Sequence, residues 1–182
     1  STQTYDALTD FKDGKAVVRV DSKTIAAIDT TGKTLWSMNF AFDHSKMAVE
    51  ILLSGDGKGD RFVVVNRDGS SYTIIAGGKR IASSSRALQL NQYSDTYIAA
   101  ESTGYYALYN FKGKKLTKTY QNAFDEVGQN IYSHWINDKE YEYIRCDADG
   151  TNKVLFRVKC QNGRPGALPT DGAGVLAPRT VD

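Results

Sequence analysis

Cysteine is nearly absent: Cys146 and Cys160 are the only two in 182 residues, which excludes a fold held by a disulfide framework. Proline is just as sparse, and all three residues, Pro165, Pro169 and Pro178, follow Cys160. Histidine occurs twice, at His44 and His134, and no Gly-x-Ser-x-Gly elbow accompanies either, so nucleophilic-triad chemistry has no support. No apolar run approaches the roughly 20 residues that cross a bilayer as a helix; Ala48–Leu53 and Phe62–Val65 are strand-length, so no membrane span is expected. Neither charge sign dominates: 23 Lys and Arg against 21 Asp and Glu leave +2, which gives no reason to expect nucleic acid as a partner. Ser1–Asp10 is mostly polar and shows no secretory signal. The chain opens on Ser rather than Met, so a processed or trimmed amino end is expected, with initiator-Met removal favoured over a cleaved leader. Two cysteines leave the compartment open; the reading leans to an extracellular or virion-associated setting over a cytoplasmic one.

What is present is an internal repeat. Ala16–Lys33, Phe62–Lys79 and Tyr97–Lys114 align without gaps, and His134–Thr151 is a weaker fourth copy. Each copy has a β-rich run, a polar or Gly-containing break, a second β-rich run and a turn ending in Gly. That Gly is Gly32, Gly78, Gly113 and Gly150, where a hairpin connection needs the positive φ that Gly takes at little cost. Asp29, Asn110 and Asp147 stand three residues before it, short polar side chains suited to bonding the turn backbone, whereas copy two has Ile75 there. The runs are rich in Val, Ile, Tyr, Phe and Thr, which suit a pleated, half-buried surface, and amphipathic helical stretches are hard to find.

Neighbouring segments bring each repeat to about four strands, the size of a propeller blade. One unit is Ala48–Leu53, Phe62–Asn66, Ser71–Ala76 and Lys79–Ser84; the next is Ala87–Tyr93, Thr96–Ser102, Tyr105–Phe111 and Lys115–Gln121. A third is Ala123–Val127, Ile131–Asn137, Glu140–Cys146 and Val154–Lys159. Ala16–Val20, Thr24–Asp29 and Thr34–Phe40 complete the set, with Tyr5–Thr9 as the partner. The fold class expected is therefore all-β: four repeats of about four antiparallel strands in a small β-propeller or propeller-like domain over 1–160, with an extended Pro/Gly-rich arm at 161–182.

Thr24–Ser37, TIAAIDTTGKTLWS, resembles the repeat of quinoprotein-type (PQQ-like) propellers. Tyr5–Lys33 is similar to WG-type β-repeats, with Ile25–Ala26 where those carry Trp-Gly, and Ser54–Gly69 is similar to FG-GAP-type blades. All three resemblances imply β-repeats, mostly propellers, and none fixes an activity. Quinoprotein dehydrogenase chemistry is not expected, since it uses a much larger ring of blades and cofactor residues absent here; no cofactor is assigned.

Candidate chemistry is thin. Ser54, Asp56 and Asp60 in SGDGKGD could supply calcium oxygens, but Lys58 stands where a further ligand belongs, so a Gly-rich hairpin loop is the favoured reading. Gly55, Gly57 and Gly59 lack the Gly-Lys-Ser/Thr ending of a phosphate cradle. His134, Cys146 and Cys160 match no zinc spacing. The two cysteines, placed on adjacent strands, are expected as buried thiols, or as one disulfide in an oxidising compartment. No catalytic residues are assigned, and the chain is expected not to be an enzyme.

Tyrosine is the most suggestive feature: nine of 11 lie between Tyr93 and Tyr143. Tyr105 and Tyr109 share one strand face with Tyr106 on the other, and Tyr141 and Tyr143 share a face of the next hairpin. Cross-strand packing accounts for many such residues, yet Tyr also favours interfaces. The candidate interaction residues are Tyr105, Tyr106, Tyr109, Trp135, Tyr141 and Tyr143, together with Leu168, Val175 and Leu176 of the arm. The function expected is a non-catalytic structural or protein-interaction subunit of a larger assembly (virion, filament or multisubunit complex) whose arm contacts a neighbour or a copy of itself. The alternative is a carbohydrate-binding module that stacks Tyr and Trp135 on glycan rings.

Overall fold

The structure is a computed structural model that describes residues 4–50, 58–122 and 124–160. Among these residues there is no helix, hence none long and apolar enough to cross a membrane. Sixteen strands form four four-stranded antiparallel sheets, each a meander in chain order. The first holds β1 (Asp6–Ala7), β2 (Lys15–Asp21), β3 (Thr24–Asp29) and β4 (Thr34–Asn39). The second holds β5 (Met47–Glu50), β6 (Arg61–Asn66), β7 (Tyr72–Ala76) and β8 (Lys79–Ser84). The third holds β9 (Leu88–Leu90), β10 (Thr96–Ser102), β11 (Tyr105–Asn110) and β12 (Tyr120–Gln121). The fourth holds β13 (Phe124–Gly128), β14 (Ile131–Asn137), β15 (Glu140–Cys146) and β16 (Asn152–Lys159). Sequential four-stranded meanders are the propeller-like repeat expected from the sequence. The arm at 161–182, with Leu168, Val175 and Leu176, and the loop residues Ser54 and Asp56 lie outside the described residues.

The turn that joins the last two strands of each sheet explains the repeat signature. In sheets one, three and four the amides of Gly32, Gly113 and Gly150 donate to the carbonyls of Asp29, Asn110 and Asp147 at 2.9, 3.0 and 2.9 Å. The Asp29 carboxylate accepts from the amides of Thr31 and Lys33, and the Asn110 side-chain Oδ1 from those of Lys112 and Lys114. Copy two closes differently. Ala76 pairs directly with Lys79, and Gly77 and Gly78 both take positive φ (55° and 75°), the two-residue hairpin that needs left-handed backbone at both positions. Ile75 replaces Asp in this copy because the strand continues through its position.

The chain divides into two compact units, residues 1–92 and 93–182. In the first, Val17, Ile25 and Ala27 of sheet one meet Phe62, Val64 and Ile75 of sheet two, with Phe40 and Phe42 closing the cluster. Ala16, Val18, Ala26 and Ile28 bury the other face of sheet one, so β2 and β3 read as continuous apolar runs rather than alternating ones. In the second unit, Ile98 and Leu108 of sheet three meet Phe124, Tyr132, Ile144 and Cys146 of sheet four, with Leu116 and Tyr120 between.

One expectation needs correction, and two alternatives that the sequence left open are narrowed. The last strand of sheet three is only Tyr120–Gln121, not Lys115–Gln121. Past a single bridge from Lys115 to Tyr109, Leu116 and Thr117 turn into the core, and the Thr117 hydroxyl takes the Leu108 amide that a strand carbonyl would otherwise accept. Cys146 and Cys160 are both free and lie at opposite ends of the β15–β16 pair, for Cys146 pairs with Asn152 whereas Lys159 pairs with Glu140. Six residues of strand separate them, about 20 Å at 3.3 Å per residue, far beyond disulfide reach. Asp60, offered as a calcium ligand, instead accepts from the Trp36 indole at 3.3 Å and pairs with Lys15 at 3.5 Å.

Candidate interaction surface

Side-chain alternation decides what the tyrosine cluster can be. On β10 and β11 the even positions, Ile98, Tyr106 and Leu108, turn to the core of the second unit. Tyr97, Tyr105 and Tyr109 therefore take the opposite face. Tyr97 and Tyr109 stack at 5.5 Å, and the Tyr109 hydroxyl donates to Glu101 at 2.5 Å. Glu101 also receives Lys115 at 2.8 Å and the Thr119 hydroxyl. These donors, led by Lys115, hold its carboxyl down at about 2, while burial and the nearby carboxylate push Tyr109 up to about 12. Tyr105 is 41% exposed and Tyr106 packs half-buried against the core.

In sheet four the even positions Tyr132, Ile144 and Cys146 face the same core, so the odd ones turn away from sheet three. Trp135 pairs with and stacks on Tyr141 at 6.0 Å; Tyr143 pairs with and stacks on Phe156 at 4.8 Å. Tyr141 and Tyr143 are buried and Trp135 half-buried. Of the six aromatic candidates, Tyr106 faces the core, Tyr105 and Tyr109 lie on the outer face of sheet three and Trp135, Tyr141 and Tyr143 on that of sheet four, so no single face carries them all. Tyr109, Trp135, Tyr141 and Tyr143 each stack on a ring of their own sheet.

The aromatic rows of sheet four run out to a feature that sequence reasoning missed. β16 is the outermost strand of its sheet and pairs only with β15 among the described residues. Along it Val154, Leu155 and Phe156 are consecutive and 48%, 37% and 41% exposed. Leu155 is the extra residue of a bulge, since Phe156 pairs with Tyr143 and Val154 with Ile144. Lys153, Arg157 and Lys159 surround this run, and only Arg157 is neutralised tightly, by the buried Glu142 at 2.8 Å. The clue was the pattern itself: three adjacent apolar residues inside a cationic strand break the alternation a half-buried edge strand should show.

The first unit also holds a cleft of about 430 Å³ lined by Arg19, Ser22, Ala41, Phe42, Asp43 and His44. His44 Nε2 lies 2.7 Å from the Asp6 carboxylate, which Arg19 approaches to 3.5 Å. The His44 hydrogen bond is the main cause that lowers Asp6. A His–Asp–Arg chain of this kind knits β1, β2 and the segment before β5 together, and it was not foreseen because these residues are remote in sequence.

The class defined by these sheets is a propeller-like β-repeat protein. No protein-family model matches the chain, and no curated protein matches it. Solved structures similar to it are β-propellers: Hsv2 of Kluyveromyces lactis, at 10% identity and a TM-score of 0.43, over 82% of this chain and 60% of that one. BamB from Moraxella catarrhalis is 14% identical with a TM-score of 0.35, over 82% of this chain and 48% of that one. The chain spans about half to three-fifths of the length of the structures it resembles.

Proposed function

We propose that this chain is a non-catalytic interaction module, a structural or protein-interaction subunit of a larger assembly, with residues 161–182 as an arm that contacts a neighbour. The observation that supports this reading is the exposed apolar run Val154–Phe156 on an outermost strand. Isolated apolar residues on a surface need no explanation, whereas three in a row on an open strand are an aggregation hazard unless a partner uses them. Light scattering on the full chain and on a chain ending at Cys160 tests it. The full chain should exceed its 20.1 kDa monomer mass and the shorter one should fall to a single copy. A full chain that stays at 20.1 kDa across micromolar concentrations would overturn self-assembly through the arm.

Carbohydrate binding is the second reading, and what supports it is narrower than the tyrosine count suggests. Tyr93 and Tyr105, 47% and 41% exposed, are the tyrosines with an open ring face, while Trp135 spends one side on Tyr141. A glycan array with Tyr105→Ala as control would show binding that this variant loses; no binding above background removes the reading.

A further inference from the structure

We infer that the outer edge of β16 is a strand-addition site for an extended acidic–apolar segment of another protein; this rests on the interaction reading above and names its partner's chemistry. The other last strands of the sheets give the contrast. β12 has two residues, β4 exposes Leu35 alone among its large apolar residues, and no large apolar residue of β8 is exposed. β16 is eight residues long, ends its sheet, and exposes Val154, Leu155 and Phe156 together. An open edge strand offers a row of backbone donors and acceptors, and pairing with an extended chain satisfies them while covering its side chains.

Charge selects the occupant. β16 carries Lys153, Arg157 and Lys159 and no acid. The carboxylate that answers Arg157, that of Glu142, sits on β15, on the inner side, and so does Glu140, which stands opposite Lys159 in register. Lys153 faces another cation, Arg145, whose own partner is Asp147 at 3.0 Å. The outward edge is therefore cationic around an apolar centre. A second copy is the wrong occupant, because antiparallel pairing of two β16 strands about Phe156 sets Lys153 opposite Lys159, and like charges directly opposed destabilise a strand pair. An incoming strand with Asp or Glu beside Lys153 and Lys159, and Val or Ile beside Val154 and Phe156, meets both demands.

The probe is a fluorescein-labelled eight-residue peptide of alternating Val and Glu, titrated with the full chain and followed by anisotropy. Its comparators are the Val–Lys peptide and a Val–Glu peptide N-methylated at alternate residues, which keeps side chains and charge but removes the donors of one edge; both methylation phases are used. The Val–Glu peptide should bind at least ten-fold more tightly than the Val–Lys peptide and than the weaker of the two methylated forms. The double variant Lys153→Glu, Lys159→Glu, both exposed positions, should reverse the preference between Glu and Lys peptides while circular dichroism stays unchanged. Hydrogen exchange on the unlabelled complex should show new protection confined to β16. Binding that survives both methylations, or protection elsewhere, would overturn strand addition, as would no binding of the Val–Glu peptide at millimolar concentration. The light-scattering result on the arm is independent of all three, so failure of the peptide leaves the assembly reading standing and failure of assembly leaves the peptide result to be read by itself.

Discussion

The two units solve one packing problem with different residues. The first fills the space between its sheets with Val17, Ile25, Ala27, Val64, Ile75 and three phenylalanines, all without a polar atom in the side chain. The second uses Tyr120, Phe124 and Tyr132 with Cys146, set edge-on at 5.5 Å and 6.1 Å between ring centres. A buried tyrosine brings a hydroxyl that needs a partner, and Tyr132 finds one in Thr96 at 2.9 Å. Around it the Glu126 carboxylate takes the amides of Tyr93 and Ser94, and the Ser94 hydroxyl takes that of Asn130. The second unit thus brings a hydroxyl into its buried cluster, whereas the first, which has polar contacts of its own in His44–Asp6–Arg19 and Arg61–Asn91, keeps the buried members of its cluster free of polar side-chain atoms. Tyrosine accumulates there because it is core material, and its density along the chain is by itself no sign of a binding surface.

The largest test of this contrast removes the central ring from each unit. Phe62→Ala and Tyr132→Ala should each cost about 3–5 kcal/mol in urea unfolding, since both side chains are fully buried. Removing only the hydroxyl separates them. Tyr132→Phe should still cost about 1 kcal/mol, because a buried hydrogen bond to the Thr96 hydroxyl is lost. A neutral Tyr132→Phe would mean that the buried hydroxyl of the second unit contributes nothing and that its rings act only as bulk.

Next comes a pair of glycines. A Cβ on Gly59 would stand 2.1 Å and 2.3 Å from the carbonyl oxygens of Lys12 and Lys15, which are backbone atoms and cannot swing aside. Gly59→Ala should cost the first unit at least the 1–3 kcal/mol of ordinary overpacking, or about that much after the β1–β2 turn shifts. In the second unit Gly150 has φ of 93° but only ordinary contacts, the nearest being Leu116 at 3.8 Å. Gly150→Ala should therefore lose about 1 kcal/mol from backbone strain alone. Equal losses would show that the backbone around Lys12 and Lys15 yields, so that the close approach sets no special cost at Gly59.

How much of this was legible follows from the range of each interaction. The strands Thr24–Asp29, Lys79–Ser84, Thr96–Ser102, Ile131–Asn137 and Glu140–Cys146 could be read to the residue, because local patterning and the turn at Gly32, Gly78, Gly113 and Gly150 fix them. Lys115–Gln121 was misread since Thr117 hands a hydroxyl to the Leu108 amide, a choice that no strand propensity encodes. The faces of Tyr105, Tyr106 and Tyr109 followed from alternation, but which face meets the core depends on the sheet that packs there. The cysteines are free thiols, as the favoured reading has them, with Cys146 buried and Cys160 only partly so; what rules out the disulfide alternative is the register that puts Cys146 beside Asn152, which no local pattern encodes. Val154–Phe156 is ambiguous in sequence: the flanking Lys153, Arg157 and Lys159 hint at an exposed strand, but a run of apolar residues in a strand normally announces burial.

The smallest expected effect concerns the carboxylates, and it sharpens the comparison most. In the first unit the lowered ones, Asp6, Asp21, Asp29, Asp43 and Asp68, lie at the surface and owe their shifts mainly to hydrogen bonds, from the distant His44 for Asp6 and from residues close in sequence for the rest. Glu101 in the second unit is partly enclosed, 26% exposed in its side chain, and its carboxyl falls to about 2 from an ordinary 4.5. A carboxylate with a lowered folded pKa contributes stability that is fully present above its unfolded value. That contribution is lost as pH falls from about 4.5 towards about 2. Glu101→Gln should cost about 1 kcal/mol at pH 7, a figure held down by solvent screening of the Lys115 pair. The cost should shrink to near zero by pH 2, flattening the acid limb of the urea midpoint against pH. Tyr109 gives the alkaline counterpart: with its folded pKa raised from 10 to about 12, its share is present below pH 10 and lost between 10 and 12. Tyr109→Phe should remove that share, while Tyr132 and Cys146, raised to about 12 and about 11 by burial, keep the rest of the alkaline limb. Asp29→Asn, on an exposed turn of the first unit, should leave the acid limb steep; if it flattens the limb as much as Glu101→Gln, the polar network is not what distinguishes the second unit.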